Sequence, residues 1–192
     1  MNNPLTILGI AGSLRKASYN RAALRAAQVL APKGSKVEIF ELNEIPPFNQ
    51  DEETNPSASV RELKTRVRAA DAILLVTPEY NYSIPGVLKN AIDCASRPYG
   101  DSAWDGKPVA VMGASIGMQG SSRAQYHLRQ CFVFLNMHPV NLPEVMISNA
   151  SEIFDAEGNL KDENTRRRIT ALLETLVGWT HHLEKGRAAA GK

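Results

Sequence analysis

Residues 5–30 decide the fold class and read LTILGIAGSLRKASYNRAALRAAQVL. A short apolar run (5–10) is followed by a polar loop that contains glycine, serine, arginine and lysine, and then by an alanine- and leucine-rich stretch (roughly 19–31). This order predicts a β-strand, a loop and an α-helix. A helix N-terminus offers free N–H groups and partial positive charge, so the loop is suited to bind a phosphate group.

The alternation of strand and helix patterns continues to the end of the chain. Further strands are predicted at KVEIFEL (36–42), AILLV (72–76), PVAVMGA (108–114) and within HPVNLPEVMI (138–147). Apolar residues at helical spacing recur between them and again near 162–184. Continuous apolar runs indicate strands that are buried on both faces. We therefore predict an α/β fold with a doubly wound five-stranded parallel sheet, in the order 2-1-3-4-5, and helices on both faces.

Length and composition limit the number of domains and the kinds of partner that the chain can have. The 192 residues suit a single domain, predicted over 1–185, with GRAAAGK (186–192) as a disordered tail. A net charge of +2 argues against nucleic acid as the main partner. No apolar run approaches the ~20 residues of a membrane span, and the N-terminus lacks a signal-peptide pattern. We therefore expect a cytoplasmic protein that does not insert into membranes.

The residue types that usually carry catalysis or bind metals form no recognisable cluster in the sequence. Cys94 and Cys131 fall in predicted helices without a CxxC pattern, and we expect buried thiols there. His127, His181 and His182 are expected to be solvated or to lie at a helix end. With neither a nucleophile–base pair nor a metal cluster, we predict no catalytic side chain and no metal site, which argues against a hydrolase.

Three loops are predicted to lie together at one edge of the sheet. In a doubly wound sheet, ligands bind beyond the carboxyl ends of the strands, where the winding direction changes. This rule selects the loops after the first, third and fourth strands, at 11–19, 77–84 and 114–121. These loops are also the most unusual parts of the sequence, which makes them the candidate ligand site.

The first loop contains the groups that a phosphate requires. Ser18 is a good N-cap for the following helix. Ser13, Ser18 and Asn20 can donate hydrogen bonds to phosphate oxygens, and Arg15 can neutralise charge through a forked contact. Neither GxxxxGK(S/T) nor GxGxxG is present, so the loop is not a Walker or a dinucleotide-binding motif. The alternative is a capped helix that carries a surface arginine.

The second loop, TPEYNYSIPGVLKNAID (77–93), places polar and aromatic residues directly after the most buried strand. The four residues after Pro78 are Glu79, Tyr80, Asn81 and Tyr82. Burying them would cost free energy unless they were paired, and a flat heteroaromatic ring with polar edges would pair with them. The alternative is a loop whose polar groups are hydrogen-bonded within its own turns.

The third loop, GASIGMQGSSR (113–123), is rich in glycine and serine. Glycine permits close approach of the backbone to a ligand, and Ser115 adds a hydroxyl group. Amide groups aimed at the edge of a ring would stabilise negative charge that develops there. The alternative is a flexible turn that caps the next helix.

The three loops together resemble the NAD(P)H-dependent FMN reductase family, and in particular its bacterial quinone and chromate reductases. The resemblance rests on GSLRKASYN, TPEYNYSIPGVLKNAID and GASIGMQGSSRAQYHLRQ, and IPPFNQD (45–51) agrees with it. It covers about residues 5–150. It implies a flavodoxin-like fold, tightly bound FMN and a homo-oligomer, either a dimer or a tetramer.

The resemblance also implies a role for individual residues. The FMN phosphate would be held by Ser13, Arg15, Ser18 and Asn20. The isoalloxazine would be lined by Pro78, Glu79, Tyr80, Asn81 and Tyr82. The ribityl and pyrimidine side would be approached by Ser115, Ile116 and Gly117. Relatives usually have a second glycine where this chain has Ser121.

The implied activity is ping-pong reduction of small acceptors by NAD(P)H through bound FMN. Quinones, azo compounds, chromate and free flavins are the expected acceptors. NADPH is the expected donor, because Arg15 or Lys16 would suit its extra phosphate, with NADH as the alternative. The cofactor supplies the chemistry, so no catalytic side chain is required.

Two other functions fit the same pattern. A flavodoxin-like electron carrier would have no turnover of its own, but such carriers are usually acidic, whereas the isoelectric point here is about 8.6. A regulatory protein that binds FMN or another phosphorylated ligand is the second alternative.

Two further hypotheses concern subunit contacts. Arg97, Tyr126 and Glu144 would form a polar network across such a contact or would be separate surface residues. Trp104 would cover the flavin of a neighbouring subunit or pack within its own chain.

Overall fold

The computed structural model describes residues 4–191 and is built around one parallel sheet. Its strands are β1 (Leu5–Ala11), β2 (Ser35–Phe40), β3 (Ala72–Val76), β4 (Pro108–Ala114), β5 (His138–Pro139) and β6 (Val145–Ile147). The order is β2-β1-β3-β4-β5, and β6 also pairs with β4. The predicted fold class and strand order are therefore confirmed.

The predicted last strand is divided into two short strands along β4. β5 pairs with Pro108 and Val109 at the start of β4, and β6 pairs with the segment from Met112 to Ala114 at its end. Pro139 and Pro143 fall in and between the two strands. Proline has no N–H group to donate and fixes its φ angle, so the two residues interrupt a continuous strand along this edge of the sheet.

The helices cover both faces of the sheet. They are α1 (Tyr19–Val29), α2 (Ala58–Ala69), α3 (Gly86–Ala95), α4 (Ser122–Phe134), α5 (Ala150–Ile153) and α6 (Glu163–Ala189), with a 3-10 turn at Gln50–Glu52. α6 continues beyond the predicted boundary at 185, and a guanidinium N–H of Arg187 donates to the carbonyl oxygen of Gly106. Residues 186–189 are therefore helical, and Lys192 lies outside the described residues.

Two apolar cores lie on opposite faces of the sheet. α1 and α6 pack on one face, where Leu24 and Leu172 are buried. α2, α3 and α4 pack on the other face, where Leu88 and Phe132 are buried. Every residue of β3 is buried, since its side chains alternate between the two cores. This double burial explains the continuous apolar run at 72–76.

The carboxyl ends of β1, β3 and β4 are neighbours at one edge of the sheet. The backbone N–H of Gly12 donates to the Val76 carbonyl oxygen at 2.9 Å, and that of Thr77 donates to Met112 at 2.9 Å. The loops that follow these strands therefore begin side by side, where the winding direction changes. No helix within residues 4–191 is long and apolar enough to cross a membrane.

Candidate functional site

Side-chain contacts join the three loops to one another in pairs. Asn20 joins the first loop to the end of β4 through two hydrogen bonds with Ala114. The hydroxyl oxygens of Ser13 and Tyr80 lie 3.5 Å apart and join the first loop to the second. Glu79 in the second loop bonds to Arg123 at the start of α4 and so joins the second loop to the third. The loops selected from the sequence therefore lie in contact at one edge of the sheet.

The first loop ends in a capped helix. Ser18 has an extended backbone conformation, and its Oγ accepts a hydrogen bond from the Asn20 N–H at 3.2 Å, which makes it the N-cap of α1. Its hydroxyl proton remains available to donate. Ser13 is also buried, whereas Arg15 is exposed, with its guanidinium carbon 5.8 Å from the Tyr19 ring centroid. A partly positive helix end therefore lies beside a solvent-facing cation.

Asn20 is buried and bonded to the end of β4. Its side chain is 3% exposed, its Nδ2 donates to the Ala114 carbonyl oxygen at 2.9 Å, and its Oδ1 accepts from the Ala114 N–H at 2.9 Å. These bonds use Oδ1 and one of the two Nδ2 protons, so the second Nδ2 proton is the side-chain donor that is left for a phosphate oxygen. The structure therefore shows Asn20 holding α1 against the end of β4.

The second loop is a tight hairpin. The backbone N–H groups of Tyr80 and Ser83 donate to each other's carbonyl oxygens, at 3.1 and 3.0 Å. Asn81 and Tyr82 between them have φ angles of 51° and 67°. Such paired left-handed residues are typical of a type I′ turn, but they are uncommon for tyrosine. The hairpin presents Tyr80 and Tyr82, which are 50% and 68% exposed, at the carboxyl edge of the sheet.

Glu79 caps α4 from outside that helix. Ser121, the helix's own N-cap residue, has a left-handed backbone conformation and makes no side-chain capping bond. The Glu79 carboxylate accepts from the backbone N–H of Arg123 at 3.0 Å and from that of Ala124 at 3.4 Å. It also accepts from Arg123 Nε at 2.5 Å, and these contacts raise the pKa of Arg123.

Arg123 was missed by sequence reasoning. The sequence did contain a signal, because a cation in the first turn of a helix lies unfavourably at the positive end of the helix dipole. Such a placement suggests a specific anionic partner. The buried Glu79 carboxylate, with 8% of its side chain exposed, is that partner.

The third loop combines close backbone approach with exposed apolar side chains. A Cβ atom on Gly113 would lie 2.1 Å from the Thr77 carbonyl oxygen, so only glycine fits between the second and third loops. Ser115 Oγ donates to the Gly117 carbonyl oxygen at 3.0 Å. Ile116 is 73% exposed beside it. Apolar side chains that remain in solvent next to polar loops are typical of a binding site.

The chemistry of this edge fits FMN. The first loop supplies hydroxyl groups, a helix N-terminus and Arg15, which together match a phosphate dianion. The hairpin and Ile116 supply flat and apolar surface for a ring system. Within residues 4–191, no group of three or more His, Cys, Asp or Glu residues is arranged to hold a metal ion.

The hypotheses on subunit contacts have different outcomes. The Arg97 guanidinium lies 4.2 Å from the Tyr99 ring centroid and donates to the Tyr99 hydroxyl oxygen. Tyr126 lies beside Glu144 instead, which raises the pKa of the Tyr126 hydroxyl. Within one chain Arg97 therefore has different partners from the other two residues.

Trp104 packs within its own chain. It is 1% exposed in the second core, and its indole N–H donates to the Ile92 carbonyl oxygen at 2.9 Å. The hypothesis that it covers a neighbouring subunit's flavin is therefore wrong. A large aromatic ring between two helices and the sheet is stabilised by burial and by its one polar bond.

Trp104→Phe is expected to lower the free energy of unfolding by about 1–3 kcal/mol, because the Ile92 carbonyl oxygen loses its partner. The visible spectrum of the protein with added FMN is expected to stay unchanged. Urea unfolding followed by circular dichroism measures the first quantity, and a visible absorbance spectrum measures the second. A changed flavin spectrum with unaltered stability would show that Trp104 contacts the flavin after all.

The cysteines and histidines agree with their predicted roles. Cys94 is buried and Cys131 half-buried, and burial raises the pKa of both thiols. His127 Nδ1 lies 3.0 Å from Ser83 Oγ on the exposed side of α4, and His181 is paired with Glu184 on α6.

Comparison with known proteins identifies the family. A sequence model described as NADPH-dependent FMN reductase matches residues 5–152. The chain is 50% identical to an NAD(P)H-dependent FMN reductase of Pseudomonas aeruginosa, over 95% of this chain and 99% of the relative. It is 42% identical to a quinone reductase of Pseudomonas putida, over 93% of this chain and 96% of the relative.

A solved structure agrees with these relatives. The flavoenzyme NAD(P)H:(acceptor) oxidoreductase FerB of Paracoccus denitrificans superposes with a TM-score of 0.85 at 36% identity, over 93% of this chain and 98% of FerB. The described fold, the converging loops and these similarities lead to one assignment. The chain belongs to the NADPH-dependent FMN reductase family and is an oxidoreductase with FMN as its cofactor and NAD(P)H as its co-substrate.

Proposed function

We propose that this protein reduces quinones with NAD(P)H by a ping-pong mechanism, and that azo compounds, chromate and free flavins are further acceptors. The observation that carries the proposal is the pairwise joining of the three loops at the carboxyl edge of the sheet. Relatives named as quinone reductase and as 2-hydroxy-1,4-benzoquinone reductase support quinones as the principal class.

The first loop is assigned to the phosphate of FMN. Ser18 accepts a bond from the helix backbone and keeps its hydroxyl proton for a phosphate oxygen. Ser13 is in weak contact with Tyr80, at 3.5 Å, so a phosphate oxygen can replace that contact. Arg15 is exposed and supplies compensating charge. Asn20 binds Ala114 through Oδ1 and one Nδ2 proton and keeps its second Nδ2 proton for a phosphate oxygen.

The other two loops are assigned to the ring system. Pro78, Asn81 and the two tyrosines of the hairpin line one side, and Glu79 acts through its contacts with α4. Ser115, Ile116 and Gly117 approach the ribityl and pyrimidine side. Bound FMN would supply the redox chemistry, which is hydride acceptance from NAD(P)H and electron transfer to the acceptor. The residues of this chain bind and orient the reactants.

The open hairpin explains the proposed order of reaction. Tyr80, Tyr82 and Ile116 are at least half exposed, so this surface is accessible to flat molecules from solvent. A nicotinamide and a quinone are both flat, and both stack on the same kind of surface. They would therefore occupy the site in turn, and the first product must leave before the acceptor enters.

Steady-state kinetics tests the proposed function. Purified protein saturated with FMN is assayed with NADPH and with NADH against benzoquinone, an azo dye, chromate and free riboflavin. Parallel double-reciprocal lines with benzoquinone support the ping-pong order, and intersecting lines contradict it. Protein that holds FMN but turns over with no donor–acceptor pair would be an electron carrier, as in the alternative function.

Arg15→Ala is expected to raise the dissociation constant for FMN about tenfold, because one charge-assisted contact with phosphate is lost. Arg25→Ala is the matched control, since Arg25 is an exposed arginine on α1, outside the first loop. Quenching of FMN fluorescence by the apoprotein measures both constants. Equal dissociation constants for FMN in the two variants would contradict the assignment of Arg15 to the phosphate site.

We also propose that the protein is a cytoplasmic homo-oligomer. Val133 and Phe134 at the end of α4 are 84% and 72% exposed, and these adjacent apolar side chains are a candidate contact surface. Both cysteines are free thiols, and NAD(P)H is an intracellular reductant, so a reducing compartment suits the chain. Analytical ultracentrifugation distinguishes a dimer or tetramer from a monomer.

A further inference from the structure

The hairpin of the second loop is held against α4 by three side-chain contacts. The Glu79 carboxylate bonds to the backbone and guanidinium of Arg123. The guanidinium carbon of Arg123 lies 3.5 Å from the centroid of the Tyr82 ring. Ser83 Oγ lies 3.0 Å from His127 Nδ1 one turn further along α4. Arg123 takes part in two of these contacts and thus connects Glu79 with Tyr82.

The hairpin needs support from outside its own backbone. A left-handed conformation is tolerated by Asn81 but is unfavourable for Tyr82, where it persists only if surrounding contacts favour it. The Tyr82 ring is 68% exposed, so it gains little from apolar burial. The stacked guanidinium therefore supplies the main stabilising contact on this side chain.

Arg123 is itself held in place by the same carboxylate. Its position in the first turn of α4 is unfavourable for a cation, and Ser121 does not cap the helix. The buried Glu79 carboxylate satisfies the helix N–H groups and the guanidinium together. The guanidinium edge thus faces Glu79 while its planar face lies against Tyr82. A lysine ammonium cannot make both contacts in this way, because it has no planar fork.

We propose that Arg123 is a positioning residue, which holds the Tyr82 hairpin in its binding conformation and so sets the affinity of the site for FMN and quinone. This inference rests on the proposed function, since Tyr82 acts there as part of the ring-binding surface. Arg123 contributes through Tyr82 and not through contact with the reacting atoms. Its loss therefore affects binding constants more than the turnover number at saturation.

The experiment compares Arg123→Ala and Arg123→Lys with Arg129→Ala. Arg129 lies six residues further along the same helix and donates to Asn141 Oδ1 at 3.3 Å. We expect Arg123→Ala to raise the KM for benzoquinone and the dissociation constant for FMN about tenfold, with kcat at saturating FMN within about threefold of wild type. Arg123→Lys is expected to restore less than half of the lost affinity, and Arg129→Ala to match wild type.

A double-mutant cycle tests the connection to Tyr82. Tyr82→Gly removes the ring, and glycine adopts the left-handed conformation without strain. If Arg123 acts through this ring, Arg123→Ala adds little further loss in the Tyr82→Gly background. An equal loss in both backgrounds would overturn the proposal. Equal KM and FMN dissociation constants for Arg123→Ala and Arg129→Ala would overturn it as well.

The controls separate this inference from the proposed function. Wild-type protein that binds FMN without reducing benzoquinone contradicts the proposed function, while the FMN dissociation constants of the variants still decide the role of Arg123. Thermal unfolding of each apoprotein identifies a general loss of structure. A lower midpoint for Arg123→Ala with unchanged binding constants would assign Arg123 a purely structural role and would overturn the inference.

Discussion

Gly113→Ala is expected to destabilise the protein by about 3 kcal/mol or more, because the added methyl group has no space at the end of β4. Its Cβ would lie 2.0 Å from Ser121 Oγ and 2.1 Å from the Thr77 carbonyl oxygen. The serine side chain can rotate, but the carbonyl belongs to the backbone beside β4. Relief of that clash requires β3 and β4 to separate where the second and third loops begin, so FMN binding is expected to be lost too.

Gly86→Ala is the matched control for this substitution. Gly86 begins α3, and a Cβ atom there would meet no atom within 4 Å. Alanine in an unobstructed helical position is expected to stabilise the protein by about 0.5–1 kcal/mol. Urea unfolding of both variants, with FMN titration of each, measures the difference. Similar midpoints for the two variants would show that β4 and the loops adapt to the extra methyl group.

Asn20→Ala is expected to lower the free energy of unfolding of the apoprotein by about 2–4 kcal/mol, because two buried backbone groups of Ala114 lose their partners. The same substitution releases the start of α1 from the end of β4. The first and third loops then lose their alignment, and the affinity for FMN is expected to fall more than tenfold, which corresponds to about 1.4 kcal/mol or more.

Gln28→Ala provides the comparison for Asn20→Ala on the same helix. Gln28 also donates a side-chain bond to a backbone carbonyl, that of Val37 at 3.1 Å, but it is exposed. Its loss is expected to lower the free energy of unfolding by less than about 1 kcal/mol. Chemical unfolding of the apoproteins separates two roles for Asn20. Unchanged stability of Asn20→Ala with weakened FMN binding would indicate direct contact with phosphate, as the resemblance implies.

The fold was predictable because its main signals are local. The apolar run of β3 and the helical spacing in α3 each depend on residues close together in sequence. The order of these elements then restricts the topology, since parallel strands require helical crossovers. The division of the last strand at Pro139 and Pro143 was less predictable, because the pairing of two short segments with β4 depends on tertiary packing.

The candidate site was predictable as a set of loops but not as a set of contacts. Chain order alone brings the carboxyl ends of β1, β3 and β4 together, and this selects the three loops. The contact partners of Asn20 and Glu79 do not follow from chain order. Ala114 lies 94 residues from Asn20 in the sequence, and Arg123 lies 44 residues from Glu79. The burial of Trp104 was not predictable from the sequence either, because it depends on how α3 packs against the sheet.

The sequence by itself determined the order of strands and helices, the position of the ligand-binding edge and the family of the protein. These properties follow from local patterns, from crossover geometry and from motifs within single loops. Only the tertiary structure decided that Asn20 faces Ala114, that Glu79 caps α4 and that Tyr82 stacks on Arg123. Such contacts join residues far apart in the chain, and the packing of α1 and α4 against the sheet sets their distances and burial.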